Sequence, residues 1–471
     1  MASQSFDRLL QSLAGTVQLK GDRVIVKDEK HLPDRMNGLA YEAVFGDAQP
    51  KAAARWLVWE TAQALGIRPA STHELYAARG RGDCGCQFTV PAMNLRMMAY
   101  DSARAVFRAV RKINAGAFIF EIARSEMGYT DQRPAEYTTS ILAAAIKEGF
   151  RGPVFIQGDH FQAGAKKYAA APDVELKSIR DLIVEAMAAG FHNIDIDTST
   201  LVDLSKPTLE EQQRLNFELC ADFTRFIREH EPKGVTVSVG GEIGEVGQKN
   251  STPDDLEAFM HGYRDSKGGV TGISKISIQT GTSHGGVVLP DGKLADVAID
   301  FDVLRLLSEK ARQEFGMGGA VQHGASTLPE SAFGKFVEAG ACEVHLATAF
   351  QTLVMEHQAV PESLRQEMYE WLKVKAADER KPSDSDAQFF YKSRKKAVGP
   401  FKKPFWSLPQ EARAALGESL EKQFSFLFER LAIGGTASSV AQFVHAPEIH
   451  QPLPEGGVKT AKAESVEGLA D

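Results

Sequence analysis

A carboxylate and an imidazole stand side by side at 155–162, FIQGDHFQ, where an apolar run ends on Asp159 and His160. Two more histidines arrive in similar settings: His284 follows GISKISIQ in TGTSHGG, and His323 follows GGAV in QHGAST. Imidazoles at the ends of separate apolar runs, beside glycine-rich turns, suit a catalytic divalent metal with open coordination positions. Any one of these histidines alone is more often a hydrogen-bonded structural residue; the trio is what argues for a metal. Asp197 closes NIDID, Glu242 closes SVGGE and Thr348 closes EVHLAT, so further polar groups come at equivalent ends. Small residues at Gly324, Ala325 and Ser326, with Gly285 and Gly286, let main-chain N–H groups approach an anion closely, as a phosphate cradle requires.

The elements that must position these groups follow a βα rhythm from Gln87 onward. Eight strand-like runs, QFTVPAMN, AFIFEIA, GPVFIQGD, NIDIDTS, VTVSVGGE, ISKISIQ, GGAVQHG and EVHLAT, alternate with helical patterns such as SARAVFRAVRKI. Eight is the count a closed parallel barrel needs, and the C-terminal ends of parallel strands face one side, where the polar groups converge. The predicted fold is an α/β, (β/α)8 TIM barrel over residues 86–354. The chain of 471 residues exceeds the roughly 250 of a plain barrel, which leaves a mainly helical extension over 1–85 and a helical C-terminal extension over 355–471 ending in a mobile tail. PESLRQEMYEWLKVKAADER and PQEARAALGESLEKQFSFLFERL read as amphipathic helices that begin at proline. The basic, aromatic run between them, YKSRKKAVGPFKKPFW, is either a solvated connection or a segment folded over a barrel mouth, its own or a neighbour's.

Composition bounds the function. A net charge of −8, with 43% hydrophobic and 25% charged residues, fits a globular protein and argues against a general nucleic-acid binder. No apolar run reaches the roughly 18 residues of a membrane span, and MASQSFDRLLQSLAG lacks the basic and apolar regions of a secretory signal, so a cytoplasmic location is expected. Cys84 and Cys86 form a lone CxC while Cys220 and Cys342 lie in apolar contexts, which reads as four reduced structural thiols.

From about Gln87 to Gln351 the ordered motifs VPAMN, RSE, GDHF, NIDIDTS, GGEIG, TGTSHGG, AIDFDVL, QHGAST and VHLAT resemble the class II, metal-dependent ketose-bisphosphate aldolases, more their tagatose-bisphosphate branch than the fructose-bisphosphate one. The resemblance implies that His160, His284 and His323 bind a catalytic zinc, and that Glu242 and Asp197 belong to a second or alternative metal position. It implies that Asp159 acts on the aldehyde oxygen. Gly285, Gly324, Ser326 and Thr348 match the cradle for the phosphate of dihydroxyacetone phosphate, with Asn94 and Ser125 bordering the pocket. The implied reaction is aldol cleavage or condensation of a ketose phosphate or bisphosphate, with a small sugar phosphate as the partner and a homodimer or homotetramer as the assembly. The chemistry is sound on its own terms. A divalent cation chelating a ketone and its neighbouring hydroxyl stabilises the enediolate left when the carbon–carbon bond breaks. A carboxylate within reach exchanges the aldehyde proton.

Two departures stand out. The family's last strand ends with an asparagine near the ketone, whereas EVHLAT carries His345, which could bond substrate, transfer a proton or ligate a metal. The loop after GGEIG lacks the family's usual glutamate pattern; Glu245 lies close by as a substitute base. Lys275, midway along ISKISIQ, raises a Schiff-base alternative, which would leave the imidazole trio without a purpose. Two other functions remain open: an epimerase or isomerase on the same scaffold, and a non-catalytic accessory subunit.

Overall fold

The computed structural model describes residues 2–243, 249–281 and 299–454. Eight parallel strands form the barrel, numbered here in chain order: β1 (Val90–Asn94), β2 (Ile119–Ala123), β3 (Gly152–Gln162), β4 (Asn193–Asp197), β5 (Ser238–Glu242), β6 (Lys275–Ile278), β7 (Ala320–Gln322) and β8 (Glu343–Leu346). Around the wall the order is β3-β2-β1-β8-β7-β6-β5-β4, and β4 pairs back onto β3 to close it. The fold is a (β/α)8 barrel, and the eight runs that predicted it are its eight strands.

Both faces of these strands are out of water, so the outward positions are apolar and packed against helices. Phe107, on the helix Ala99–Lys112, meets Phe118, Phe120 and Phe150 with ring centroids 6.1, 5.2 and 4.9 Å away. Each such buried ring is worth about 1.5–3 kcal/mol. The helix Pro134–Lys147 is buried along nearly its whole length, because the helices Met36–Phe45 and Ala48–Ala64 of the N-terminal extension pack on it.

Helices occupy most of that extension, and three short strands lie between them. Val17–Lys20 and Arg23–Val26 form an antiparallel hairpin around Gly21, whose φ of 64° suits the tight two-residue turn. Ile67–Ala70 adds a further parallel strand to the lower half of β3, from Ile67 opposite Gly152 to Ala70 opposite Phe155. Thr72 then plugs the barrel floor: its N and Oγ1 donate to Asn193 Oδ1 at 2.8 and 3.0 Å, while Asn193 Nδ2 donates to the carbonyls of Ala70 and Ile156, both at 3.0 Å.

The C-terminal extension supplies the helices Glu362–Lys375, Asp386–Ser393 and Gln410–Arg430, the first and last preceded by Pro361 and Pro409 as expected. Of its end, which the sequence reads as a mobile tail, residues 449–451 are hydrogen-bonded to the N-terminal extension. Trp56 and Trp59 donate their indole N–H groups to the carbonyls of Gln451 and Ile449 at 3.0 and 2.7 Å, and the His450 ring sits 2.6 Å from Glu60. Residues 455–471 lie outside the described residues. Among the described residues no helix is long and apolar enough to cross a membrane.

Candidate active site and metal centre

The site begins with an irregularity in β3. Its register against β4 shifts between Gly158 and Phe161, and His160 sits within the shift at φ 38°. A left-handed backbone costs a non-glycine residue about 1–2 kcal/mol. What the bulge gains is orientation: a regular pleat sends neighbours to opposite faces, whereas here Asp159 and His160 both reach the mouth's polar groups. Gly158 permits it, because the Phe161 ring packs 2.3 Å from where a Cβ would stand.

Around this pair the strand ends converge. His160 Nδ1 lies 3.2 Å from both Asp197 Oδ2 and Glu242 Oε2, and its Nε2 is 3.9 Å from Asp159 Oδ1. The His323 ring is 4.3 Å from that of His160, with Nε2 3.0 Å from Ser277 Oγ. Asn94 Nδ2 donates to Asp159 Oδ2 at 3.0 Å and to Glu126 Oε2 at 2.8 Å. Burial works against a charged His160, but Asp159, Glu242 and Asp197 outweigh it and hold the imidazole well above its ordinary pKa. Burial likewise works to raise Asp159, yet His160, His345 and His323 hold it well below the carboxylate range.

Ligand atoms of Asp159, His160 and His323 lie within 4.8 Å of one another, as do those of His160, Asp197 and Glu242. Imidazoles and carboxylates at this spacing fit a divalent cation, which would enter by displacing the histidine protons. His160, His323, Glu242 and Asp197 are thus brought together. His284, Gly285 and Glu245 fall outside the described residues.

Below the mouth lies a charged layer that the sequence reading did not assemble. Lys275 Nζ donates to Gln157 Oε1 at 2.7 Å and Glu343 Oε2 at 2.6 Å, and is 2.9 Å from Asp195 Oδ1. Tyr76, from the N-terminal extension, donates to Glu343. His345 bridges the two layers: Nε2 is 3.0 Å from Glu343 Oε2, and Nδ1 is 3.3 Å from both Asp159 Oδ1 and Glu121 Oε2. Burial opposes the charge on Lys275, but Asp195 and Glu343 raise its pKa, so the ammonium stays protonated and is unsuited to forming a Schiff base. Burial would raise Glu343, but Lys275 and His345 pull it down to about 2. One signal in the sequence pointed to this layer: charges at every second position, as in Asp195 and Asp197 or Glu343 and His345, put them on one strand face. Barrel interiors are ordinarily filled by branched aliphatic residues.

The remaining residues named from sequence surround the mouth. Gly324 follows β7 at φ 69°, Ser326 Oγ accepts from the N–H of Ala347 at 2.7 Å, and Thr348 opens the helix Thr348–Glu356. Ser125 is buried at the exit of β2. Arg96, which sequence reasoning missed, is buried and donates to Glu126 Oε1 at 2.5 Å. The basic run packs against its own barrel: Arg394 donates to Thr352 and Glu356, both at 2.6 Å, and Lys395 Nζ lies 5.9 Å from the Tyr129 ring. Burial first, then the neighbouring Arg96, lowers the Lys395 pKa to about 8.

A parallel barrel whose catalytic end gathers histidines and carboxylates defines a class, that of barrel enzymes able to hold a divalent cation at the strand ends. Within it the particular family is shown by a profile described as fructose-bisphosphate aldolase class-II, which matches residues 85–399; the chain belongs to that family. Curated protein sequences gave no match. Among solved structures, a fructuronate-tagaturonate epimerase from Cohnella laeviribosi is similar at 13% identity, covering 92% of this chain and 99% of the other, with a TM-score of 0.56. A probable tagatose 6 phosphate kinase from Sinorhizobium meliloti is similar at 17% identity, covering 75% of this chain and 98% of the other, with a TM-score of 0.52. At these identities the likeness is one of fold.

Proposed function

We propose that the protein is a divalent-metal-dependent aldolase that cleaves a ketose phosphate or bisphosphate to dihydroxyacetone phosphate and an aldehyde, and runs the reverse condensation. The observation that carries this reading is Asp159, an ionised carboxylate held at the barrel mouth between His160 and His345. In the cleavage direction Asp159 takes the proton from the hydroxyl that becomes the aldehyde oxygen, and Asn94, donating to its other oxygen, fixes the carboxylate plane. His160, His323, Glu242 and Asp197, with His284, are the residues that would hold the cation, zinc being the first to test. The cation supplies Lewis-acid stabilisation of the developing enediolate. Gly324, Ser326 and Thr348, with Gly285, would receive the phosphate, and Arg96 and Lys395 bring positive charge to the same end of the barrel. His345, in the position of the family's asparagine, stands next to Asp159 as a second proton carrier, and Glu245 is the candidate base for the enediol proton. A cytoplasmic homo-oligomer is the setting this reading assumes.

His345 also favours a second reading, an epimerase that breaks and re-forms the same bond without releasing product. A second proton carrier beside Asp159 would serve re-addition to the opposite face of the aldehyde, and the overlay with the protein named as an epimerase spans the extensions as well as the barrel. A coupled assay for triose phosphate release from fructose and tagatose bisphosphates, with EDTA and with zinc restored, separates the two. Release that EDTA abolishes and zinc restores supports the aldolase. Epimerised sugar with no trappable triose phosphate would overturn it in favour of the epimerase.

A further inference from the structure

Four buried carboxyl groups face the layer around His345 against one fixed cation, and burial raises the Glu121 carboxyl well above its ordinary pKa, so a bound cation is what would hold it ionised. Glu121, Asp159, Asp195 and Glu343 are 0, 3, 5 and 0% exposed, and among the described residues Lys275 is the one lysine or arginine within salt-bridge distance of any of them. Buried charges are ordinarily paired or bound to metal. Lys275 sits on the Asp195 and Glu343 side, leaving Glu121 and Asp159 facing His345 Nδ1 on the other.

We propose that Glu121, Asp159 and His345 Nδ1 form a second divalent-cation site, next to the position that His160 and His323 would hold. Three observations carry it. The ligand atoms lie within 4.8 Å of one another, and Nδ1 is 3.3 Å from both carboxylate oxygens; tetrahedral bonds of about 2.0–2.2 Å put ligand atoms about 3.3–3.6 Å apart. Glu121 Oε1 is buried and receives no hydrogen bond from any described residue, while Oε2, the oxygen near His345, accepts from Gln157 Nε2 at 2.8 Å, so the carboxylate has an oxygen to offer a cation. Finally, the far nitrogen of the ring, Nε2, is 3.0 Å from Glu343 Oε2, the carboxylate partner that fixes the tautomer of metal-binding histidines.

The inference rests on the metal-dependent reading only for the first cation, and it has a chemical consequence. A cation bound by Asp159 Oδ1 takes the carboxylate that would carry the aldehyde proton, so filling the second position turns proton transfer off. Excess metal would therefore inhibit an enzyme that one equivalent activates.

The test is made on the full-length protein, stripped of metal and titrated with Mn2+ in the absence of substrate. Bound metal per chain is counted after equilibrium dialysis, and the EPR spectrum is recorded. Two equivalents and a spin-coupled spectrum are expected for the wild type; Glu121→Gln and His345→Asn should each bind one equivalent and give an uncoupled six-line spectrum. Should Glu121→Gln fail to fold, His345→Asn decides alone. Wild type that saturates at one equivalent, or a folded variant that keeps two, overturns the proposal. Because no turnover is read, a negative cleavage assay leaves this result standing, and a single equivalent leaves the aldolase reading intact.

Discussion

Replacing Lys275 with methionine tests whether the charged layer is held together as its geometry implies. Methionine keeps most of the aliphatic stem but removes the ammonium, which has lines to Gln157, Asp195 and Glu343 at 2.6 to 3.0 Å and is fully buried. All three are charge-assisted, since the donor is ionised, and worth about 1.5–3 kcal/mol each; two are also ion pairs, and breaking a buried ion pair from one side costs about 3–5 kcal/mol. A loss of about 4 kcal/mol is expected, measured by urea denaturation followed by circular dichroism. The dependence on pH follows from linkage. In the wild type Glu343 is held at about 2, so its favourable share is present above the unfolded carboxylate range and lost as pH falls towards 2. Burial already raises Asp195 to about 6 in the wild type despite the ammonium; in the variant it rises further, and Glu343 moves from below the unfolded carboxylate range to above it. Protonation then favours the folded state, so the loss relative to wild type should shrink between pH 8 and pH 5. Adding Glu343→Gln to Lys275→Met should recover part of it. A loss below about 1 kcal/mol, or one that grows on acidification, would refute the argument and mean that water screens the layer.

Asp159→Asn should lower kcat by about 100- to 10,000-fold with little change in KM, as expected of a proton carrier; equal loss in the binding of an unreactive substrate analogue would point to a structural role. Lys395→Met should raise KM for an anionic ketose while leaving kcat within a few-fold. Since the ammonium is the binding form and its pKa is about 8, wild-type KM should climb above pH 8 and the variant's should not. Gly240→Ala puts a Cβ 2.3 Å from Asp195 Oδ1 and 3.0 Å from Lys275 Cε. Overpacking of this kind costs about 1–3 kcal/mol, to be read as a fall in melting temperature, and an unchanged melting temperature would mean the layer yields freely.

Much of the barrel was legible in the sequence because it is written in local pattern. Apolar runs ending in glycine and a polar residue, alternating with helical periodicity, name both the strands and the end at which Asp159, His160, His323, Glu242 and Asp197 would meet. The hairpin at 17–26 was not read from the sequence, because its four-residue strands are too short to stand out against the helices around them. Only the tertiary structure decided the rest, since it depends on which residues far apart in the chain share a level of the barrel. No local pattern says that Lys275 would reach Glu343, 68 residues away, and Gln157, 118 residues away. Nor does it say that Tyr76 of the N-terminal extension would bond the same glutamate, or that the run around Lys395 would close over its own barrel. The bulge at His160 belongs to the same class, because it exists only against β4, where the register shifts. Residue type fixed which groups could do chemistry; strand register and barrel closure decided which of them touch.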